Sequence, residues 1–269
     1  VFAWRKTQRL VNVGLTHGLL NDGRAREMLE QARAAHFIHT QTTDVRFDDL
    51  VNAGTRLRDI AALQEQIVSQ PELKALYDPN DPNYANLVND PFATVHPSSQ
   101  DEIKGMQVFK DNCFSCHNMP NVFGNREHVD GPPLGYPPSY AHTMDIGVAQ
   151  RNALGLEVRR WDEATHTRVP VTLPLARQDG AIINWTVTDD IGLAMTTGRL
   201  EDLHRFKVPQ LRKIKDLGPY FHDNSAATLE DVVDYFNSAD YNNSEDGRQH
   251  PIHLNHRERT QLLAFLRIL

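Results

Sequence analysis

The stretch CFSCHNMPN, at residues 113–121, holds both cysteines of this 269-residue chain. Two residues separate the thiols, and His117 directly follows the second of them. A single pair of cysteines cannot build the framework of a disulfide-rich domain. The pattern Cys-x-x-Cys-His is instead typical of the attachment of a c-type haem. We therefore predict that Cys113 and Cys116 tether one haem c through thioether bonds and that His117 is the proximal iron ligand.

Three other interpretations of this motif compete with haem attachment. A thioredoxin-like redox pair normally follows a strand, whereas the pattern before Cys113 predicts a helix. A zinc site needs further ligands, and the one histidine cluster, HPIHLNH at residues 250–256, is made poorly helical by its proline. An isolated disulfide leaves His117 unexplained. Haem attachment accounts for all three residues of the motif, and the alternatives stay open at this point.

The composition is that of a globular protein with a moderate negative charge. Apolar residues make up 40% and charged residues 23% of the chain, and 28 Lys and Arg stand against 35 Asp and Glu, a formal charge of −7. This balance argues against nucleic acid as a partner and is compatible with a basic redox protein or a small molecule. No apolar run reaches the roughly 18 residues that a membrane-spanning helix needs.

The spacing of apolar residues predicts a mostly α chain with long irregular insertions. Capping-box patterns begin helices at three points, after Ser99, Thr228 and Asn255. Two further helices are predicted over 24–35 and 47–69, and short strands over 169–175 and 181–187.

The chain divides into two predicted parts. Residues 77–91 are rich in Pro, Asn and Asp and predict a linker. We expect residues 1–97 to form a partial helical domain with this linker, and residues 98–269 to form a cytochrome c-like haem domain.

Several segments resemble the bacterial di-haem cytochrome c peroxidases and MauG, the di-haem enzyme of methylamine utilisation. The longest is RFKVPQLRKIKDLGPYFHDNSAATLEDVVDYFN at 205–237, and shorter similarities lie at 21–32, 104–125 and 144–149. The pattern TDDIGLAMTTGR at 188–199 is similar to the rubber oxygenases, which cleave polyisoprene with dioxygen. The resemblance implies a haem oxidoreductase, peroxidase- or oxygenase-like, in which this chain carries the electron-transfer haem. It also implies a redox partner protein or a second haem domain.

Two departures from the family pattern bear on catalysis. The family carries a second, N-terminal haem at which peroxide or dioxygen reacts, but the chain has no further cysteine for it. We expect an N-terminal piece to be missing, and a non-catalytic electron-transfer subunit is the alternative. Asn21 stands at the family's inter-haem tryptophan, and no carboxylate near Gln41 matches the peroxidases' distal glutamate, which weakens peroxide cleavage by a general acid.

The sixth iron ligand is implied by the resemblance and not by the haem motif. The peroxidases have a methionine and MauG a tyrosine at the position of Phe236, which cannot bind iron. We predict His222 as the distal ligand, because the resemblance to rubber oxygenases implies a bis-histidine haem. Met144, Met195 and an open position stay as alternatives.

Two further contacts are expected near the haem. Arg212 is predicted to pair with a haem propionate, although a solvent ion pair explains it equally well. By the resemblance, the backbone carbonyls of Leu217 and Pro219 correspond to calcium contacts in the peroxidases, and calcium binding stays open.

Since haem c is attached outside the energy-transducing membrane, we expect a bacterial periplasmic or extracellular location. The oligomeric state is not predicted.

Overall fold

The computed structural model describes residues 5–16, 18–25, 28–40, 56–125, 143–151 and 158–269. The helices in these ranges are α1 (Met28–Thr40), α2 (Arg56–Glu65), α3 (Tyr84–Asn89), α4 (Gln100–Asn112), α5 (Val148–Arg151), α6 (Ala194–Thr197), α7 (Leu229–Phe236), α8 (Ala239–Asn242) and α9 (His256–Leu266). The strands are β1 (Thr143–Met144), β2 (Arg159–Asp162), β3 (Thr167–Pro170), β4 (Thr172–Ala176), β5 (Ile182–Thr186) and β6 (Phe206–Lys207).

The strands pair in three small antiparallel sheets. β1 pairs with β6, β2 with β3 and β4 with β5, and the register sets Met144 opposite Phe206 and Leu173 opposite Trp185. The described part of the chain is thus a mixture of helices and short sheets, and the prediction of a mostly α fold is confirmed only in part. The first predicted strand, 169–175, spans the end of β3 and most of β4, and the second contains β5.

The three helices predicted from capping boxes all form. Ser99, Thr228 and Asn255 each accept a hydrogen bond from a backbone N–H in the first turn of α4, α7 and α9, and the acidic residue of each box bonds back. These reciprocal bonds satisfy N–H groups that have no partner inside the helix. Of the helix predicted over 47–69, α2 is the described part and ends at Glu65, while residues 47–55 lie outside the described residues.

The main core joins α4, α7 and α9. Its centre is aromatic, with Phe109, Phe123 and Phe265 fully buried against one another. Helices α4 and α9 approach so closely that a Cβ atom added to Gly105 would lie 1.9 Å from the carbonyl oxygen of Gln261. Glycine is therefore required at this crossing. The close packing against α9 holds α4 in place, and with it the Cys-x-x-Cys-His motif that follows α4.

A second, smaller core packs the β4–β5 hairpin against the segment that ends in α6. Its buried members are Val171, Leu175, Val187, Ile191 and Ala194.

None of the described helices is long and apolar enough to cross a membrane. The domain division at residue 97 stays a prediction.

Candidate haem site

The Cys-x-x-Cys-His motif forms one turn directly after α4. The backbone N–H of Cys113 donates to the carbonyl of Phe109 (2.8 Å), and those of Cys116 and His117 donate to the carbonyl of Cys113 (3.2 and 3.0 Å). This turn continues the path of the helix and brings both thiols and the imidazole to one side of the chain. The two cysteines do not form a disulfide, so the disulfide interpretation receives no support.

The imidazole of His117 is held in one orientation by the backbone. Its Nδ1 lies 2.9 Å from the carbonyl oxygen of Phe123. A carbonyl can only accept, so Nδ1 carries the proton and Nε2 is the atom that would bind a metal. The backbone of Pro209 also interacts with this ring. Burial lowers the pKa of His117 to about 4, and the ring is therefore neutral, as a metal ligand must be.

The three motif residues line one cavity of about 150 Å³, called here the first cavity. Its other walls come from α4, α7, α9 and the β1–β6 pair. They are mainly apolar: Phe109, Met144, Ile146, Phe206, Val208, Pro209, Leu211, Ile214, Leu229, Val232, Val233, Phe236, Ile252, Leu254, Leu262 and Leu266. An apolar lining with few polar groups is typical of a cofactor site.

These residues fit a c-type haem. Burial raises the pKa of the Cys113 thiol to about 12, so the cavity suits an uncharged thioether better than a thiolate. By contrast, a thiolate zinc site needs deprotonated cysteines and further ligands. Within the described ranges, no cluster of three or more His, Cys, Asp or Glu side chains could hold a metal ion. The zinc interpretation receives no support from this geometry.

A neighbouring cavity, called here the second cavity, has a volume of about 270 Å³. It lies between the N-terminal segment at residues 6–16 and the loop at 204–222. Both cavities are bordered by Ile146, Phe206, Lys207, Pro209, Leu211 and Ile214. The described lining of the second cavity contains Lys6, Arg9, Lys207, His204 and His222 but no Asp or Glu, so the space favours anionic groups.

His222 lines the second cavity, while His117 lines the first. The ring of His222 stacks on Phe206 with centroids 3.7 Å apart, and its Nε2 lies 4.0 Å from a carboxylate oxygen of Asp190. Ligation of the iron by His222 stays a prediction, and this placement does not support it. The sequence could not show that His222 and His117 line different cavities, because this depends on how the loop that carries His222 packs against Phe206.

The two methionines are placed differently. Met144 is 8% exposed and lines the first cavity together with His117. Met195 packs against the small core of β4 and β5. Phe236, which stands where the resemblance places a ligand, also lines the first cavity. Of His222, Met144 and Met195, Met144 is the one that shares the described lining of a cavity with His117. His250, from the histidine cluster at 250–256, lines the first cavity as well.

Arg212 lines neither cavity. It is 1% exposed, its Nε donates to the carbonyl of Asn121 (2.6 Å), and its guanidinium also contacts the hydroxyl of Thr94. Arg212 therefore joins the segment before α4 to the loop after the motif. Its pairing with a haem propionate stays a prediction without support from this geometry.

Lys207 is the basic residue that the sequence reasoning missed. It borders both cavities, and burial together with the positive charge of Arg9 lowers the pKa of Lys207 to about 8. A carboxylate beside this ammonium would offset its burial. The signal in the sequence was its position, between Phe206 and Val208 in the segment that resembles the family most closely.

The sequence comparisons identify related peroxidases. The chain is 27% identical over 215 residues to the cytochrome-c peroxidase IdrP1 of Pseudomonas sp. (strain SCT), covering 79% of this chain and 48% of that protein. It is 26% identical over 172 residues to the cytochrome c551 peroxidase of Nitrosomonas europaea, covering 64% and 34%. The chain spans about half, or less, of the length of these curated relatives. No family model matches it.

The fold is shared with a solved structure, that of a MauG-like protein associated with microbial copper homeostasis. The TM-score is 0.55 at 18% identity, and the match covers 99% of this chain and 73% of that one. The methylamine utilization protein MauG of Methylorubrum extorquens is 37% identical over a shorter stretch of 67 residues, 24% of this chain and 19% of that protein. The sequence similarities and the shared fold support the resemblance of this chain to the di-haem cytochrome c peroxidases and MauG.

Proposed function

We propose that this chain carries the electron-transfer haem of a peroxidase- or MauG-like oxidoreductase. The observation that carries the proposal is the first cavity, in which two thiols and a neutral imidazole share an apolar wall. Cys113 and Cys116 would tether the haem, and His117 would bind its iron through Nε2. A haem bound there supplies a one-electron iron couple.

The apolar wall supports electron transfer more than reaction with a substrate. Phe236 presents a ring at the position where the resemblance implies a ligand, and Leu229, Val232 and Val233 of α7 continue the same wall. Side chains of this kind exclude water and leave little polar surface to orient a substrate. Lys207 provides a positive charge at the border of the cavity, where it would partner a haem carboxylate.

A second candidate is a non-catalytic electron-transfer subunit whose partner chain carries the reactive iron. The observation that favours it is Asn21, which lines the second cavity and donates through Nδ2 to the carbonyl of Lys6 (2.8 Å). An amide at this position offers no aromatic ring between two redox centres. Kinship with the rubber oxygenases in particular stays a prediction.

The proposed function implies a redox partner and a cellular location. A haem that relays electrons needs a redox partner protein or a second haem domain, and the chain's net negative charge suits a basic partner surface. We propose a bacterial periplasmic or extracellular location, because haem c is attached outside the energy-transducing membrane.

The test is to produce the chain together with a haem-attachment system and to measure its intact mass and ferric absorption spectrum. We expect one haem per chain and a six-coordinate, low-spin spectrum that hydrogen peroxide and cyanide leave unchanged. A high-spin spectrum that changes with peroxide would contradict the relay and favour a single-haem enzyme. A colourless chain that binds zinc would overturn both.

A pair of variants tests the attachment itself. Replacing both Cys113 and Cys116 by Ala should make all pigment extractable by acid–acetone, because no thioether bond then holds the haem. Ser115→Ala, an exposed change inside the same motif, should keep the pigment bound. Retention of covalent haem by the double variant would show that other residues attach it.

A further inference from the structure

Lys6 places its ammonium group in a cradle of backbone oxygen atoms. Its Nζ donates hydrogen bonds to the carbonyl oxygens of Leu217 and Pro219. The ring of Tyr220 lies 5.5 Å from the same nitrogen, within the range in which an aromatic ring attracts a cation. Two carbonyl dipoles and one ring therefore face a single positive charge.

The backbone on both sides of this side chain is fixed. The N–H of Lys6 donates to the carbonyl of His222 (2.6 Å), and the carbonyl of Lys6 accepts from Nδ2 of Asn21 (2.8 Å). Three residues further along the chain, the guanidinium of Arg9 likewise contacts two backbone carbonyls, those of Gln210 and Arg212. The N-terminal segment thus supplies positive charge to backbone oxygens of the 210–222 loop at two points.

Calcium does not fit this cradle. A calcium ion takes six to eight oxygen ligands, among them carboxylates. Here the two carbonyls already accept from an ammonium, and within the described residues no group of three or more acidic, histidine or cysteine side chains is placed to hold a metal ion. Burial and the positive charge of Arg9 lower the pKa of Lys6, while the carbonyls favour its protonated form. The same positive charges would repel a divalent ion.

We propose that Lys6 is a built-in cation that replaces calcium at the carbonyls of Leu217 and Pro219. The resemblance noted from the sequence relates these two carbonyls to calcium contacts in the peroxidases, and the structure shows a side chain of this chain bound to both. A tethered ammonium orders the loop without any dissolved ion. Since this loop carries His222 on the wall of the second cavity, Lys6 is a positioning residue for that wall.

The test uses the haem-loaded full chain and two variants. Lys6→Met keeps the length of the side chain and removes its charge. Lys215→Met removes an exposed charge from the same loop and serves as the matched control. We measure the calcium content of the wild type and the melting temperature of all three proteins, in EDTA and in millimolar calcium chloride.

We expect less than 0.1 calcium ion per wild-type chain and a melting temperature that neither EDTA nor calcium changes. Lys6→Met should melt about 5 °C lower, because two charge-assisted hydrogen bonds are lost, and Lys215→Met should melt within about 1 °C of the wild type. One tightly bound calcium ion per wild-type chain, or destabilisation by EDTA, would overturn the proposal. So would a melting temperature of Lys6→Met equal to that of Lys215→Met. If Lys6→Met does not fold, the calcium content of the wild type still decides.

Discussion

The ring of His222 lies flat against the ring of Phe206, with centroids 3.7 Å apart and an angle of 14° between the planes. Phe206 borders both cavities, whereas His222 borders only the second among the described linings. His222 and His117 therefore line different cavities, and Phe206 borders both of them.

Replacing His222 by Ala should leave the absorption spectrum of the bound haem unchanged. The physical reason is that the side chain lines the second cavity and is stacked behind Phe206. The measurement is the ferric spectrum of the purified variant, with His117→Gly as a control that must alter it. Conversion of His222→Ala to a high-spin spectrum would show that His222 binds the iron, as predicted from the sequence.

Replacing Lys207 by Met should lower the midpoint potential of the haem. A positive charge near the iron favours its reduced state, and burial together with the charge of Arg9 lowers the pKa of Lys207 to about 8, so its charge is weakly screened by solvent. We expect a shift of about 60 mV, the one-electron equivalent of a tenfold change in equilibrium constant. Potentiometric titration measures it.

The matched control for Lys207 is Lys213→Met, because Lys213 is exposed in the same segment. Its potential should stay within about 10 mV of the wild type, since solvent screens the charge. Equal shifts in the two variants would mean that Lys207 acts only through the net charge of the protein and does not partner a haem carboxylate.

Replacing Asp190 by Asn should destabilise the protein by about 3 kcal/mol at neutral pH. Arg5 donates two hydrogen bonds to this carboxylate, both 2.6 Å long, and both side chains are largely buried. Burial raises the pKa of Asp190, but the bonds and charge of Arg5 outweigh it and hold the pKa below its ordinary value of 3.8. Denaturant unfolding measures the loss.

The pH dependence of the same variant tests the sign. A carboxyl whose pKa is lowered on folding stabilises the protein above pH 3.8, and this contribution disappears as the pH falls through the folded-state value. The free energy of unfolding of the wild type should therefore fall more steeply below pH 4 than that of Asp190→Asn. Parallel curves would show that Asp190 is not the group that titrates.

Replacing Gly105 by Ala should destabilise the protein by about 2 kcal/mol. The new Cβ would lie 1.9 Å from the carbonyl oxygen of Gln261 and 2.9 Å from Cβ of Phe265, so α4 and α9 would have to separate. Gly124→Ala is the control, since its Cβ would meet nothing closer than 3.6 Å. Thermal unfolding compares them, and equal melting temperatures would contradict the close crossing.

The turn formed by the Cys-x-x-Cys-His motif and the helix before it could be predicted from the sequence. Capping boxes and the Cys-x-x-Cys-His turn act over three to five residues, and such short-range patterns survive in any tertiary setting. The prediction of short strands near 169–187 was also correct in place, because β-branched residues recur there. The mixture of helices and sheets was underestimated, since the two-residue pair β1–β6 leaves no periodic pattern.

By itself, the sequence predicted the chemistry proposed for this chain, since two thiols and an imidazole within five residues are the pattern typical of haem c attachment. Only the tertiary structure decided the surroundings of that tether. It set His222 on the far side of Phe206, buried Arg212 against Asn121, and brought Lys6 to Leu217 and Pro219 across more than 200 residues of chain. Such contacts depend on how distant segments pack, and local spacing carries no information about that packing.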